Sequence, residues 1–121
     1  ACGGPTEPSD VAVIPTAGTF SLDHYARFVV RNEGRETIYV GRCGQRVQAG
    51  LDRRVGLGWE NEMAALCILS FYMPPLQLAP GESVMDSVLV RSAGTFRVFV
   101  GYGRGDDRIL YNAWSGGFSV N

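Results

Sequence analysis

Residues 79–103 read APGESVMDSVLVRSAGTFRVFVGYG and carry the clearest strand signals in the chain. Pro80-Gly81 and Ala93-Gly94 are turn pairs, and each precedes a run rich in residues favoured in strands. In the second run, apolar side chains recur at every second position, as on the buried face of a half-buried antiparallel strand. These apolar positions are Phe96, Val98, Val100 and Tyr102. The stretch therefore predicts a hairpin of two antiparallel strands.

The same alternation occurs upstream, between Tyr25 and Val40. The inward positions would be Ala26, Phe28, Val30, Ile38 and Val40, and the outward ones Tyr25, Arg27, Val29 and Arg31. The residues between the two runs, 32–35, read NEGR and favour a turn. We therefore expect a second hairpin here, preceded by a first edge strand at Val11–Pro15 that proline ends.

With 121 residues the chain is long enough for one hydrophobic core. Turn signals recur about every 8–12 residues, and no segment has the length and periodicity of an amphipathic helix. The sequence predicts an all-β fold, an antiparallel β-sandwich of about seven to nine strands, in a single domain over residues 11–121. Residues 1–10 are small, polar and rich in proline and glycine, which is typical of a flexible tether.

The charge of the chain is close to balanced, with a formal net charge of −1. All basic residues are arginine, and they are not concentrated in one run. This composition provides no basic field for nucleic acid, and none for an anionic membrane. We therefore expect no nucleic-acid partner.

Three cysteines are present, Cys2, Cys43 and Cys67, and no Cys-x-x-Cys motif. Cys43 and Cys67 flank a segment that begins and ends in strand-like sequence, so we predict a disulfide between them. The alternative is two buried thiols in a cytosolic protein. A disulfide would place the protein outside the cytoplasm, in the periplasm or at the cell surface.

The start of the chain, Ala1-Cys2-Gly3-Gly4, resembles the processing site of bacterial lipoproteins. That resemblance implies lipidation of Cys2 and attachment to a membrane through the lipid. The alternatives are a partner in disulfide exchange and a free thiol.

The most apolar stretch, residues 63–73, permits two interpretations. It could be a central strand covered on both faces, or an exposed patch that docks onto another protein. In the second case the predicted interface combines one face of this run with aromatic and arginine side chains from the outer faces of other strands, since these residue types anchor interfaces. The predicted interface residues are Leu66, Ile68, Tyr72, Tyr25, Tyr39, Phe99, Arg27 and Arg97.

Catalytic and metal-binding signals are weak. His24 is the sole histidine, and no Gly-x-Ser-x-Gly motif accompanies it. A blue-copper centre needs two histidines and a cysteine, so that type of sandwich is excluded. Arg104-Gly105-Asp106 matches an adhesion tripeptide, and Asp106 with Asp107 could contribute to a calcium site, but a tight turn explains both. We therefore predict no catalytic residue, no metal site and no cofactor.

Three features stand together in the chain: two strand-like runs around an Asn-x-Gly turn, two cysteines on either side of Trp59, and a Pro-Gly-Glu turn followed by Gly-Thr-Phe-Arg. This layout resembles the small immunoglobulin-like β-sandwich domains of uncharacterised bacterial envelope lipoproteins. It is also distantly similar to bacterial proteinase-inhibitor domains of the same type. The first resemblance implies an immunoglobulin-like fold and supports the bridge between Cys43 and Cys67.

Two functions follow as expectations. The first is a non-enzymatic, extracytoplasmic interaction module, tethered to a membrane through its N-terminus and docked onto a larger protein or membrane complex. The second is a ligand-binding or proteinase-inhibitor-like sandwich that uses loops near Trp59, Trp114 and residues 104–107.

Overall fold

The computed structural model describes residues 10–67, 73–104, 109 and 111–121. Several sequence-based predictions lie outside these residues: the tether up to residue 9, lipidation of Cys2, the interface residues Ile68 and Tyr72, and the turn at 105–107.

The described residues form thirteen strands and no helix, so the predicted all-β class is confirmed. In chain order the strands are β1 (Val11–Pro15), β2 (Thr19–Phe20), β3 (Tyr25–Asn32), β4 (Ile38–Val40), β5 (Arg42–Cys43), β6 (Arg46–Val47), β7 (Ala49–Val55), β8 (Gly58–Met63), β9 (Leu76–Leu78), β10 (Ser83–Leu89), β11 (Gly94–Arg104), β12 (Tyr111–Trp114) and β13 (Phe118–Val120). The number exceeds the expected seven to nine because long strands are interrupted. β4 and β7 pair with the same side of β11 and are separated by the β5–β6 hairpin.

Eleven of these strands form two main sheets, and β5 and β6 form a separate two-stranded sheet. The three-stranded sheet has the order β1-β3-β10, and all its pairs are antiparallel. The eight-stranded sheet is centred on β11, which pairs with β12 and β13 along one side and with β7 and β4 along the other. β8 adds to β7, β9 adds to β4, and β2 adds to β13 in parallel.

Both predicted hairpins are wrong, although their strands are present. β10 lies in the three-stranded sheet and β11 in the eight-stranded one, and β3 and β4 are divided in the same way. In each case the chain crosses from one sheet to the other at the turn. Alternation fixes which face of a strand is buried, and a crossover between facing sheets keeps that face buried as well as a hairpin does.

One hydrophobic core takes side chains from both main sheets. The predicted inward positions on β3, β4 and β11 are all buried: Ala26, Phe28, Val30, Ile38, Val40, Phe96, Val98, Val100 and Tyr102. The outward positions on β3 are exposed or half-buried. The alternation therefore identified the core face of these strands correctly.

The described residues of the apolar run, 63–67 and 73, do not form the central strand that was one of the two interpretations of this run. Met63 ends β8, and residues 64–67 and 73–75 have no regular secondary structure. Leu66 is 83% exposed. The described part of the run is therefore a connection at the surface between β8 and β9.

Candidate interaction site

A groove opens beside the disulfide, between β10 of the three-stranded sheet and the β5–β6 hairpin. Its volume is about 440 Å³, and its walls also include the end of β8 and the segment that follows it. We call it the disulfide groove and define it by Tyr25, Cys43, Arg46, Met63, Leu66 and Leu89.

The predicted disulfide between Cys43 and Cys67 is present, with their Cα atoms 5.5 Å apart. It joins the β5–β6 hairpin to the segment after β8. Close by, Gln48 Nε2 donates a hydrogen bond to the carbonyl oxygen of Ala65 at 2.6 Å. These two links hold the rim of the groove in place and leave Leu66 pointing into solvent.

Arg46 fastens the same hairpin to β10. Its Nη2 atom lies 3.0 Å from Asp86 Oδ1 and donates to the carbonyl oxygen of Ser87 at 2.7 Å. Asp86 Oδ2 accepts a hydrogen bond from the backbone nitrogen of Val47 at 2.6 Å. The Arg46 guanidinium carbon also lies 5.7 Å from the centre of the Tyr25 ring, within cation–π range.

The described residues of the predicted interface fall into two groups. Tyr25, which is 53% exposed, and Leu66 lie on the rim of the disulfide groove, and Arg27 follows Tyr25 on the same face of β3. Tyr39, Arg97 and Phe99 occupy outward positions of the eight-stranded sheet. The two groups therefore belong to different surfaces.

A stack of arginine and tryptophan side chains covers part of the eight-stranded sheet. The Arg97 guanidinium carbon lies 4.7 Å from the Trp59 ring centre and 5.2 Å from that of Trp114, and Arg54 lies 5.2 Å from Trp59. Arg97 Nε donates to Asp52 Oδ2 at 2.8 Å. Asp52 is buried, and its Oδ1 atom lies 3.4 Å from the Nδ2 donor of Asn61 on β8.

The sequence placed Trp59 and Trp114 together near the loops of a ligand-binding sandwich, but it did not predict their stacking with Arg97. Trp59 is half-buried on the outer face of β8, and Trp114 ends β12. The available signal was the alternation along β7, where Asp52 and Arg54 face outward on either side of Arg53.

Phe99 packs directly over Gly50 on the same outer face. A methyl group added at Gly50 would lie 2.1 Å from the end of the Phe99 ring. The ring is half-buried as a result, so Phe99 is less available to a partner than the sequence suggested.

Two titratable groups outside these clusters, Glu62 and His24, have ordinary structural partners. Hydrogen bonds from Arg53 and Ser92 hold the pKa of the Glu62 carboxyl below its usual value. His24 is exposed, and its Nδ1 atom lies 2.9 Å from the carbonyl oxygen of Leu22. Among the described residues, no three histidine, cysteine or acidic side chains are grouped closely enough to hold a metal ion.

No family model matches the chain, and no curated protein matches it. Among solved structures, it is similar to the Pseudomonas fluorescens alkylpurine DNA glycosylase AlkC bound to DNA containing an abasic site analog, with 13% sequence identity and a TM-score of 0.44. The match covers 94% of this chain and 31% of the glycosylase, so the chain spans about a third of that protein. Similarity at this level carries no argument about fold or function.

Over the residues that the structure describes, we find no helix with the length and apolar character needed to span a bilayer.

Proposed function

We propose that this protein is a non-enzymatic, extracytoplasmic interaction module that docks onto a larger protein through the disulfide groove. The observation that carries the proposal is the pairing of an apolar groove with two exposed side chains on its rim, Tyr25 and Leu66. Large apolar side chains held in solvent beside a cavity are typical of surfaces that bind partners.

Within this proposal the fold is an immunoglobulin-like β-sandwich. Its support is the shared core between a three-stranded and an eight-stranded sheet, and the path of the first strands. β1 forms the edge of one sheet, and β2, a few residues later, joins the other sheet in parallel with β13. This switch brings the start of the domain into contact with both sheets.

The disulfide supports an extracytoplasmic location, since such bonds persist in oxidising compartments. Lipidation of Cys2 would add a membrane tether and bring the module close to a membrane-bound partner. Intact mass of the native protein tests both features. The disulfide predicts a mass that rises by two hydrogens on reduction, and lipidation predicts a large mass increment.

Docking is tested by replacing Leu66 with aspartate in the native protein. After purification from gently solubilised cell envelopes, the unchanged protein should carry a partner in a fixed stoichiometry. Leu66→Asp should lose it, because the substitution places a charge against an apolar contact surface.

Leu57→Asp is the matched control, because Leu57 is 95% exposed at the β7–β8 turn and lies outside the groove. This variant should retain the partner. A native protein that is monomeric and without a partner, or a partner that Leu66→Asp retains, would overturn the proposal.

A second candidate is ligand binding at the arginine–tryptophan stack. It is favoured by Trp114, which is 49% exposed at the end of the stack. A screen of glycans and proteases that finds a ligand sensitive to Trp114→Ala would support this function over docking.

A further inference from the structure

The outer face of the three-stranded sheet continues the surface of the disulfide groove. Strand alternation and pairing register bring together the outward side chains of β1, β3 and β10. We call this surface the arginine face, and its residues are Ala12, Ile14, Tyr25, Arg27, Val29, Arg31, Ser83, Met85, Ser87 and Leu89. Tyr25, Ser87 and Leu89 also line the groove, so the two surfaces are continuous.

An apolar row crosses the arginine face. Val29 on the central strand lies directly opposite Ile14 on one side and Met85 on the other. Ile14 is 39% exposed and Met85 60%. Four residues further along these two strands, the Tyr25–Leu89 pair leads from this face into the groove. The surface therefore offers apolar contacts along its length.

Positive charge borders this apolar row on both sides. Arg27 and Arg31 are exposed on the central strand, and no described carboxylate lies within 4 Å of either guanidinium group. Arg46 extends over Tyr25. The outward positions include no acidic residue, and Asp86, on the other face of β10, has both oxygen atoms engaged by Arg46 and Val47. The charge on this face that has no described ion-pair partner is therefore positive, although the chain carries a net charge of −1.

We propose, building on the docking function above, that the arginine face and the disulfide groove together bind a protein segment in which carboxylate side chains flank an apolar anchor. The groove would take the anchor, and Arg27 and Arg31 would pair with the carboxylates. A guanidinium group binds a carboxylate through two parallel hydrogen bonds, which favours acidic partners at arginine-lined surfaces.

A concave site favours a protein segment over a membrane. A groove of about 440 Å³ can hold one large side chain. A bilayer surface would contact Met85 and Ile14 but would leave the groove wall at Cys43 and Met63 without a partner. A peptide segment is therefore the expected occupant, and binding to anionic lipid would contradict the proposal.

The test is selection from a phage-displayed library of random peptides on the full chain. Enriched sequences should place aspartate or glutamate beside leucine or an aromatic residue. A synthetic peptide of the enriched sequence should bind the native chain in fluorescence anisotropy titrations. Its affinity should fall about tenfold with Arg27→Glu or Arg31→Glu, since reversing one charge turns an attractive pair into a repulsive one.

Arg35→Glu is the matched control for charge, because Arg35 is exposed in the turn after β3 and lies outside the arginine face. It should change the affinity less than twofold. Leu66→Asp should abolish peptide binding, and Leu57→Asp should not.

The failures of the two proposals are distinguishable. Some peptides could depend on Leu66 but lack acidic residues, or bind the Arg27→Glu variant with unchanged affinity. Such peptides would contradict the proposal of an acidic segment and leave the docking groove standing. An absence of any peptide that depends on Leu66 overturns the acidic segment, and the docking groove then stands only if the co-purified partner is lost with Leu66→Asp. Sedimentation with vesicles of phosphatidylserine and phosphatidylcholine completes the test. If no peptide is enriched, and the chain binds these vesicles but the Arg27→Glu variant does not, the arginine face binds a membrane instead.

Discussion

Asn32 is a fully buried polar residue that links the two main sheets. It ends β3, and its Nδ2 atom donates to the carbonyl oxygens of Glu36 at 2.7 Å and Leu78 at 2.9 Å. Its Oδ1 atom accepts from the backbone nitrogen of Gly34 at 2.9 Å. The side chain thus satisfies three backbone groups where the chain crosses from one sheet to the other.

Replacing Asn32 with alanine is expected to lower the free energy of unfolding by about 3 kcal/mol, because buried backbone groups would lose their partners. Urea unfolding followed by tryptophan fluorescence measures the change. Glu33→Ala, at the exposed neighbouring position, should alter stability by less than about 0.5 kcal/mol. A loss below about 1 kcal/mol for Asn32→Ala would show that water replaces the amide and that Asn32 is not the link.

At the scale of elements, β7 and β11 are held together by a contact between a glycine and an aromatic ring. Gly50 lies opposite Phe99 in the register, and the absence of a side chain at Gly50 lets the ring lie across the neighbouring strand. Asp52 and Arg97 form the next outward pair of the same two strands. The outer surface of this sheet is therefore ordered by pairs between adjacent strands.

Gly50→Ala should destabilise the protein by about 2 kcal/mol, since the added methyl group and the Phe99 ring would occupy the same space. Gly58→Ala is the matched control in the adjacent strand β8, where the nearest atom to an added methyl group is 3.9 Å away. Thermal unfolding is measured for Gly50→Ala, Gly58→Ala, Phe99→Ala and the double variant that combines Gly50→Ala with Phe99→Ala. If Phe99 is the cause, the double variant should lose less stability than the two single losses added together.

The same elements show what could be predicted from the sequence. Alternation identified the buried faces of β3, β4 and β11, because a strand between core and solvent must place apolar residues at every second position. It did not identify the neighbours of these strands, because turns of glycine, asparagine and proline suit crossovers as well as hairpins. Alternation placed Tyr25 on an outward face, whereas the sequence left Leu66 open between a covered strand and an exposed patch. Their meeting at one groove depends on pairing between distant strands.

At the scale of the whole molecule, the disulfide limits the conformations of the unfolded chain. Cys43 and Cys67 are 24 positions apart, and the loop between them contains β6, β7 and β8. Closing a loop of this length is expected to stabilise the fold by about 3 kcal/mol in the chain-entropy model.

Replacing both Cys43 and Cys67 with serine should therefore lower the midpoint of guanidinium chloride unfolding, and reductant should lower it in the native chain to a similar degree. Cys2→Ser should leave the midpoint unchanged, because this cysteine is outside the predicted bridge. Equal midpoints for the native chain with and without reductant would contradict a stabilising bridge.

The attachment of Arg46 to β10 has a consequence for how these molecules behave at high concentration. β10 is an edge strand, and the unpaired backbone of such a strand can recruit another chain and start aggregation. Arg46 occupies the carbonyl oxygen of Ser87, and Asp86 adds a carboxylate at the same place. A second molecule that approached this half of the strand would meet the Arg46–Asp86 ion pair instead of free backbone groups. The attachment of Arg46 therefore also protects β10 against self-association.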